Sequence, residues 1–267
     1  NIVDSIFVAQ ISEDALTAVS LAYPMQMLII SVAVGTGVGL NSLISRRLGE
    51  GKIKDANNAA THGLLLGVLN SVVFIILGML VIEPFFAAYT DNPEIHQMGV
   101  DYLSVVMFFS FGVFIELVIE KTLQATGNMV FPMLFMLTGA IINIILDPIF
   151  IFGLGFIPAM GVKGAAIATV IGQICSMIFS IIVLFCMKHP IKVSFKKFKL
   201  KWEVIKHIYA VGIPSIVMQS IGSVMVLGMN AILVTFSDTA VSVLGVYFKL
   251  QSFVFMPVFG LTNGVMP

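Results

Sequence analysis

The feature that most constrains this chain is a succession of apolar runs, each roughly 20 residues long, separated by short polar breaks. A helix of that length matches the thickness of the hydrocarbon core of a bilayer. Hydrophobic residues make up 58% of the 267 positions and charged residues 10%, whereas a soluble domain has about 25% charged residues. The chain is therefore predicted to be an all-α, polytopic membrane protein.

The apolar runs predict seven whole spans and one cut span. The cut span covers about residues 1–11, and the whole spans are predicted at residues 15–44, 62–82, 99–120, 129–152, 163–187, 207–236 and 239–265. Because the chain begins inside an apolar segment and without a methionine, we expect it to be a piece of a longer protein.

The basic residues are concentrated in alternate breaks between the spans. From the second break onward, one side of the membrane receives twelve Lys and Arg residues and the other side receives one. By the positive-inside rule, the loops at residues 46–54 and 188–203 are predicted to be cytoplasmic. We expect a multi-pass protein of the plasma (inner) membrane, in contact with the lipid bilayer. The formal net charge of zero argues against nucleic acid as a partner.

The most informative polar residues lie in the fifth span. Asn143 and Asp147 are four residues apart in an apolar run, so a helix places both on one face, about one turn apart. Pro148 has no N–H and leaves the carbonyl near Ile144 without its usual helical partner, which bends the helix. Two polar side chains beside a freed carbonyl oxygen predict a site for a proton or a small cation.

Two further polar residues reach a similar depth in other spans. Asp4 lies nine residues before the corner at Glu13, and Thr169 lies about eight residues after Gly161. At a rise of about 1.5 Å per residue they lie roughly 13 and 12 Å deep, and Asp147 roughly 9 Å deep. We therefore expect the first, fifth and sixth spans to converge on one pocket. Buried acids are functional by default, whereas the Thr169 hydroxyl is equally expected to bond its own helix backbone.

Three other residues are candidates for a substrate pathway. Glu116 and Gln124 belong to a polar stripe that descends the fourth span, and Lys249 lies near the middle of the eighth span. A lysine at that depth is expected to face a cavity or an acidic partner, since exposure to lipid is expensive. A structural contact between two lobes is an equally good interpretation of Lys249.

An internal repeat is indicated at an offset of 225 residues. Ser12 and Gly39 coincide with Ser237 and Gly264, among five identities in about 40 positions, and both segments follow an acidic corner. Several transporters are built from six-helix repeats. The parent protein is therefore predicted to hold two six-helix lobes in more than about 400 residues. The predicted domains are an amino-terminal lobe with a truncated first helix, a basic cytoplasmic linker, and the first two helices of the carboxy-terminal lobe, at residues 1–187, 188–203 and 204–267.

Four segments together resemble the multidrug and toxic compound extrusion (MATE) transporters. They are NIVDSIFVAQISEDALTAVSL at the start, GTGVGLNSLISRRLGEGK, QATGN at 124–128, and NIILDPIFIFGLGFIPAMGVKGAAIAT. The resemblance covers the whole chain in order, from late in the family's first helix to its eighth. It implies a twelve-helix protein with two six-helix lobes that expels organic cations or other drugs in exchange for protons or sodium.

The resemblance also implies roles for particular residues. The family's coupling residues in the amino-terminal lobe correspond to Asp4, Asn143, Asp147 and, less directly, Thr169, which implies a site for H+ or Na+ there. The sodium-type branch of the family carries an acid in its seventh helix, but residues 207–236 contain no Asp or Glu. This departure shifts the coupling to the first lobe. We expect no cofactor besides the coupling ion, and we expect the protein to act as a monomer.

We predict a secondary active antiporter, not an enzyme, that exports cationic or amphiphilic drugs or toxic compounds. A flippase for lipid-linked saccharides is the nearest alternative, but it needs a cationic cavity for pyrophosphate, and the spans hold one lysine. An intramembrane aspartyl protease that uses Asp4 and Asp147 is a weaker alternative, because the chain lacks a glycine-flanked acid pair. The sequence leaves open which drug is carried and whether H+ or Na+ drives it.

Overall fold

The computed structural model describes residues 2–153, 158–187, 189–194 and 200–265. Side chains are described in these ranges except at residues 2, 3, 5, 238, 249, 252, 256 and 259–265. All regular elements of the described ranges are helices. They are α1 Ile2–Ala9, α2 Glu13–Gly49, α3 Ile53–Tyr89, α4 Pro93–Phe108, α5 Phe111–Gln124, α6 Val130–Phe152, α7 Gly161–Cys186, α8 Trp202–Leu233 and α9 Asp238–Val265.

The helices confirm an all-α, polytopic membrane fold. In the described part of the chain, α2, α3, α6, α7 and α8 are each long and apolar enough to cross a membrane, and α4 with α5 adds one bent crossing. α2 and α3 have 37 residues each. Each is therefore about 55 Å long, well beyond a hydrocarbon core of about 30 Å. α1 and α9 correspond to the cut span and the last predicted span.

The span predicted at residues 99–120 is broken, not continuous. α4 and α5 meet at Ser110, and their axes differ by 45°. Sharp bends occur at neighbouring Ser and Gly residues, and Gly112 follows two positions later. A Cβ on Gly112 would lie 3.5 Å from the backbone carbon of Gln173. The bend and this close approach place α5 directly beside α7.

The loops are sorted between the two ends of the helices as the charge pattern predicts. Arg47 and Lys201 line the same cavity of about 180 Å³, and the backbone N–H of Lys201 donates to Nε2 of His62 at 2.9 Å. At the opposite end of α2, the hydroxyl of Thr239 donates to Oε1 of Glu13 at 2.9 Å. The two basic loops therefore lie together at one end, which we call the inner end. The end that holds Glu13 is the outer end.

α8 packs along α2 through small residues. A Cβ on Gly35 would lie 3.0 Å from the carbonyl oxygen of Gly212, and a Cβ on Gly39 would fall on the carbonyl group of Ile208. Close approach through glycine is typical of helix pairs in membranes. The other side of α8 is apolar and exposed. Its exposed residues include Val211, Ile213, Val217, Met218, Ile221, Val224 and Met225.

The outer ends of α2 and α9 meet at equivalent positions of the repeat. The hydroxyl oxygens of Thr17 and Ser242 are 2.7 Å apart, and a Cβ on Gly245 would lie 2.5 Å from Oγ of Ser20. Both pairs are separated by 225 residues, the offset of the internal repeat. Equivalent positions touch where a two-fold axis passes between two copies. Two lobes related by a pseudo-two-fold axis produce this contact, and the predicted domain boundaries themselves stay a prediction.

Candidate cation-coupling site

Four polar side chains from α1, α6 and α7 meet inside the helical bundle. Oγ1 of Thr169 donates to Oδ2 of Asp4 at 3.1 Å. The amide nitrogen of Asn143 donates twice, to Oδ1 of Asp147 at 3.2 Å and to Oγ1 of Thr169 at 3.2 Å. The structure therefore joins all four residues in one chain of hydrogen bonds, which we call the four-residue network. The hydroxyl of Thr169 serves this network and not the backbone of its own helix.

Three of the four residues in the network are buried, and Asn143 is partly buried. The exposed fraction is 0% for Asp147, 4% for Asp4 and 8% for Thr169. The Asp4 carboxyl is close enough to that of Asp147 to act on it electrostatically. Two neighbouring carboxylates cannot both be ionised cheaply in a medium of low dielectric constant. The arrangement therefore favours one proton or one monovalent cation held between the two acids.

Local sequence fixes the helices that carry the two acids. α6 continues through Pro148, which has no N–H to offer the carbonyl of Ile144, so one backbone oxygen beside Asp147 lacks its helical partner. The ring of Phe7 on α1 packs edge-on against Phe152 at the end of α6, with centroids 6.0 Å apart. This aromatic contact holds α1 against α6.

α7 contributes Thr169 to the network because it approaches α6 closely through glycine. A Cβ on Gly172 would lie 2.8 Å from the carbonyl oxygen of Gly139, a distance that side chains do not tolerate. Thr169 is one turn before Gly172, so the close approach brings its hydroxyl within reach of Asn143.

One carboxylate oxygen of the site remains open. Oδ2 of Asp147 is buried and makes no hydrogen bond with the described residues. A buried acceptor without a partner costs about 1–3 kcal/mol, and a bound proton or cation removes that cost. The amide of Asn143 presents nitrogen to the network, and an N–H cannot bind a cation. Asn143 can therefore bind a sodium ion only if its amide rotates to present oxygen, whereas a proton on either acid needs no such rotation.

Two residues near the network were not predicted from the sequence. Tyr102 of α4 is 2% exposed and lies close enough to Asp4 and Asp147 to interact with both electrostatically. Gln26 of α2 donates an amide N–H to the Tyr102 hydroxyl at 3.1 Å. The depth argument identifies Tyr102 when it is applied to polar aromatic residues, since Tyr102 comes nine positions after Pro93.

Two of the three candidates for a substrate pathway, Glu116 and Gln124, lie outside the four-residue network. Oε1 of Glu116 is 3.3 Å from Oγ of Ser176 on α7, and Gln124 donates to Oε1 of Glu120 at 2.7 Å. Both lie toward the inner end, outside the four-residue network. Lys249 belongs to α9, but its side chain is outside the described part of the structure.

Sequence comparison decides the family. The MatE family model matches residues 1–149, which is more than half of the chain. The chain belongs to the MatE family. This MatE chain is 29% identical over 273 residues to the FAD transporter of Shewanella oneidensis, with 100% of this chain and 59% of that protein covered. It is 27% identical over 252 residues to the multidrug export protein MepA of Staphylococcus aureus, with 94% and 55% covered.

Solved structures of MATE transporters share the fold of this MatE chain. The MATE multidrug transporter DinF-BH superimposes with a TM-score of 0.92 at 32% identity, over 100% of this chain and 59% of that chain. An inward-facing MATE transporter of the MOP superfamily gives 0.89 at 30% identity, over 97% and 59%. The chain thus spans less than two thirds of the length of these relatives. They are transporters, not enzymes, and the predicted resemblance to MATE transporters is confirmed.

Proposed function

We propose that this MatE chain belongs to a secondary active antiporter that exports cationic or amphiphilic drugs or toxic compounds in exchange for H+ or Na+. The four-residue network carries the proposal, because acids buried among membrane spans are rare and mark ion pathways. The relative named for multidrug export and the related structure of a multidrug transporter support the class of substrate.

The coupling ion acts by changing the charge of the network. A cation that enters from the outer side binds between Asp4 and Asp147 and removes their mutual repulsion. The ion therefore favours the conformation in which the acids are close, and the drug is released outward in that conformation. Loss of the cation toward the inner side resets the cycle. The loops at residues 46–54 and 188–203 face the cytoplasm in this scheme, and Lys249 contributes to the substrate pathway.

The proposal is tested on the complete transporter in proteoliposomes. Asp4→Asn and Asp147→Asn keep the size of each side chain but cannot bind a proton or carry charge. We expect each to lower ion-driven export of a cationic dye by about a hundredfold or more, the scale of a lost proton-transfer group. Asp91→Asn, at an exposed position on the outer end, is the matched control and should export normally. Normal export by either network variant, at normal protein levels, would exclude the site.

The identities of the coupling ion and of the substrate are determined in two separate series with the same vesicles. Export is driven by a pH gradient without sodium, and then by a sodium gradient at constant pH. Because the FAD transporter of Shewanella oneidensis matches this chain from end to end, FAD is the second candidate substrate and replaces the dye in a parallel series. Export of FAD but not of the dye would show that the transported substrate is a flavin nucleotide and not a drug.

A further inference from the structure

A second set of polar groups lies on the inner side of the four-residue network. It consists of four residues of α5 and one of α7, and we call it the inner cluster: Glu116, Glu120, Lys121, Gln124 and Ser176. Oγ of Ser176 is 2.8 Å from the carbonyl oxygen of Phe135 and 3.3 Å from Oε1 of Glu116. A hydroxyl has one hydrogen, so Ser176 satisfies one of these two acceptors at a time. When Glu116 is protonated it can donate to Oγ of Ser176, and both oxygens then have a donor.

The inner cluster has an uneven charge balance. Nζ of Lys121 lies 3.3 Å from Oε1 of Glu120, and both side chains bond Gln124 at 2.7–2.8 Å. Glu116 faces these two charged groups of its own helix, while α7 contributes one neutral partner, the hydroxyl of Ser176. Since Lys121 offsets Glu120, an ionised Glu116 leaves one net negative charge in the cluster. Such a charge attracts a cation where the medium is poorly polarisable.

One face of α7 connects the inner cluster with the four-residue network. Thr169, Gln173 and Ser176 are spaced by four and three residues, so they lie on the same face, about 6 and 4.5 Å apart along the axis. Thr169 belongs to the four-residue network and Ser176 to the inner cluster. Between them, Oε1 of Gln173 is buried and has no hydrogen-bond partner among the described residues. Along α7, a residue with an open acceptor therefore comes between the residue of the four-residue network and the residue of the inner cluster.

We propose that Glu116 is a second binding carboxylate for the coupling cation, reached from the four-residue network past Gln173 and Ser176, and that the cation leaves it toward Gln124 at the inner end of α5. The inference rests on the proposed function. For a proton, the acid of the four-residue network becomes a carboxylate and Glu116 becomes a carboxylic acid. The proton then passes to water at the inner end. In this proposal Glu116 and Gln124 serve the path of the cation, whereas the sequence predicts them in the path of the substrate.

The deciding variant is Glu116→Gln in the complete transporter. The amide keeps the shape of the side chain and can still accept from Ser176, but it cannot hold a proton or a net charge. We expect ion-driven export to fall by about tenfold or more, while the Kd for a cationic dye changes by less than about threefold. Glu116→Asp keeps the carboxyl group, so it should recover part of the export and shift its pH profile, or its sodium dependence if sodium is the coupling ion.

Two parallel variants make the outcomes distinct. Ser180→Ala removes a hydroxyl one turn further along α7, where it donates to the carbonyl of Met177 in its own helix at 2.8 Å, and should leave export unchanged. If Asp147→Asn abolishes export while Glu116→Gln keeps the normal rate and pH profile, this inference fails and the proposed function stands. If Asp147→Asn exports normally, the proposed function itself fails. Should Glu116→Gln not fold, a normal pH profile and sodium dependence in Glu116→Asp overturn the inference.

Discussion

Asn143 links the two acids of the site through neutral donors. Its amide gives one N–H to Asp147 and one to Thr169, and Thr169 gives its own hydrogen to Asp4. Both ends of this chain are carboxyl groups that accept. A proton on either acid removes the charge at that end and weakens it as an acceptor, while the oxygen that carries no proton can still accept from the same donor. Titration on one helix is therefore transmitted to another without a long displacement.

Asn143→Ala should weaken coupling without abolishing it, because it removes two donors but leaves both carboxyl groups. A hydrogen bond to a charged group contributes about 1.5–3 kcal/mol, which corresponds to roughly a tenfold to hundredfold loss in ion-driven export. The loss should be smaller than that of Asp147→Asn in the same vesicles. Asn128→Ala is the control, since Asn128 caps α6 by accepting from the N–H groups of Val130 and Phe131. It should lower thermal stability and leave coupling unchanged; equal export by Asn143→Ala and the wild type contradicts the role of the amide.

Individual contacts of the site follow from the sequence only in part. The depth of Asp4, Asp147 and Thr169 along their helices places them at one level, and the structure joins them there. Depth does not reveal which way a hydroxyl points. Thr169 donates to Asp4 because a carboxylate on the neighbouring helix is a stronger acceptor than a backbone carbonyl that is already bonded. The direction of that donor depends on how α1 packs, which no local pattern contains.

The shape of a membrane-spanning helix depends on its glycine residues as much as on the length of its apolar run. The α4–α5 break at Ser110 was not predicted, because hydropathy is uniform across it and the apolar run continues. The signal lies in the Ser and Gly two positions apart, which permits a bend that packing against α7 then uses. Hydropathy identifies a crossing, whereas small residues decide whether that crossing is straight.

Gly39→Ala should separate α2 from α8. The added methyl group would occupy the position of the Ile208 carbonyl, which is backbone and cannot rotate away. Overpacking of this kind costs about 1–3 kcal/mol, so we expect a clear drop in melting temperature in detergent. Gly49→Ala, at the end of the same helix, has nothing within 4 Å of the added methyl group and should melt as the wild type does. Equal melting of the two variants contradicts the close packing.

Two features matter at the scale of the whole molecule: the exposed side of α8 and the contact between α9 and α2. α8 exposes an apolar side, and the contacts of α9 with α2 include the pairs Thr17–Ser242 and Ser20–Gly245. The sequence predicted the sorting of loops to two ends from charge alone, because that rule acts on whole spans. The sequence could not predict that equivalent positions of the repeat are in contact, because a repeat at an offset of 225 residues does not say how the two copies are oriented.

A disulfide across the outer ends should stop transport. Thr17→Cys and Ser242→Cys are combined in a background where Cys175 and Cys186 are serine, because both native cysteines are free. Oxidation should link the pair, hold the outer ends of α2 and α9 together, and lower dye export to background until a reductant is added.

The control pair is Ser45→Cys with Ala125→Cys, which lies within the predicted amino-terminal lobe, and the Ser45 hydroxyl is 3.5 Å from the Ala125 carbonyl oxygen. Its disulfide should leave export intact. If the oxidised variant, with residues 17 and 242 linked, exported dye as fast as the same variant after reduction, the outer ends of α2 and α9 would not need to separate during transport.

The meeting of Thr17 and Ser242 also has an evolutionary consequence. If the two lobes descend from one duplicated gene, a residue on the axis between them lay opposite its own copy in the unfused ancestor, and every mutation there was made twice at once. Fusion into one chain removes that constraint, so each half can then change alone. Threonine opposite serine is a difference that keeps two hydroxyl groups in contact.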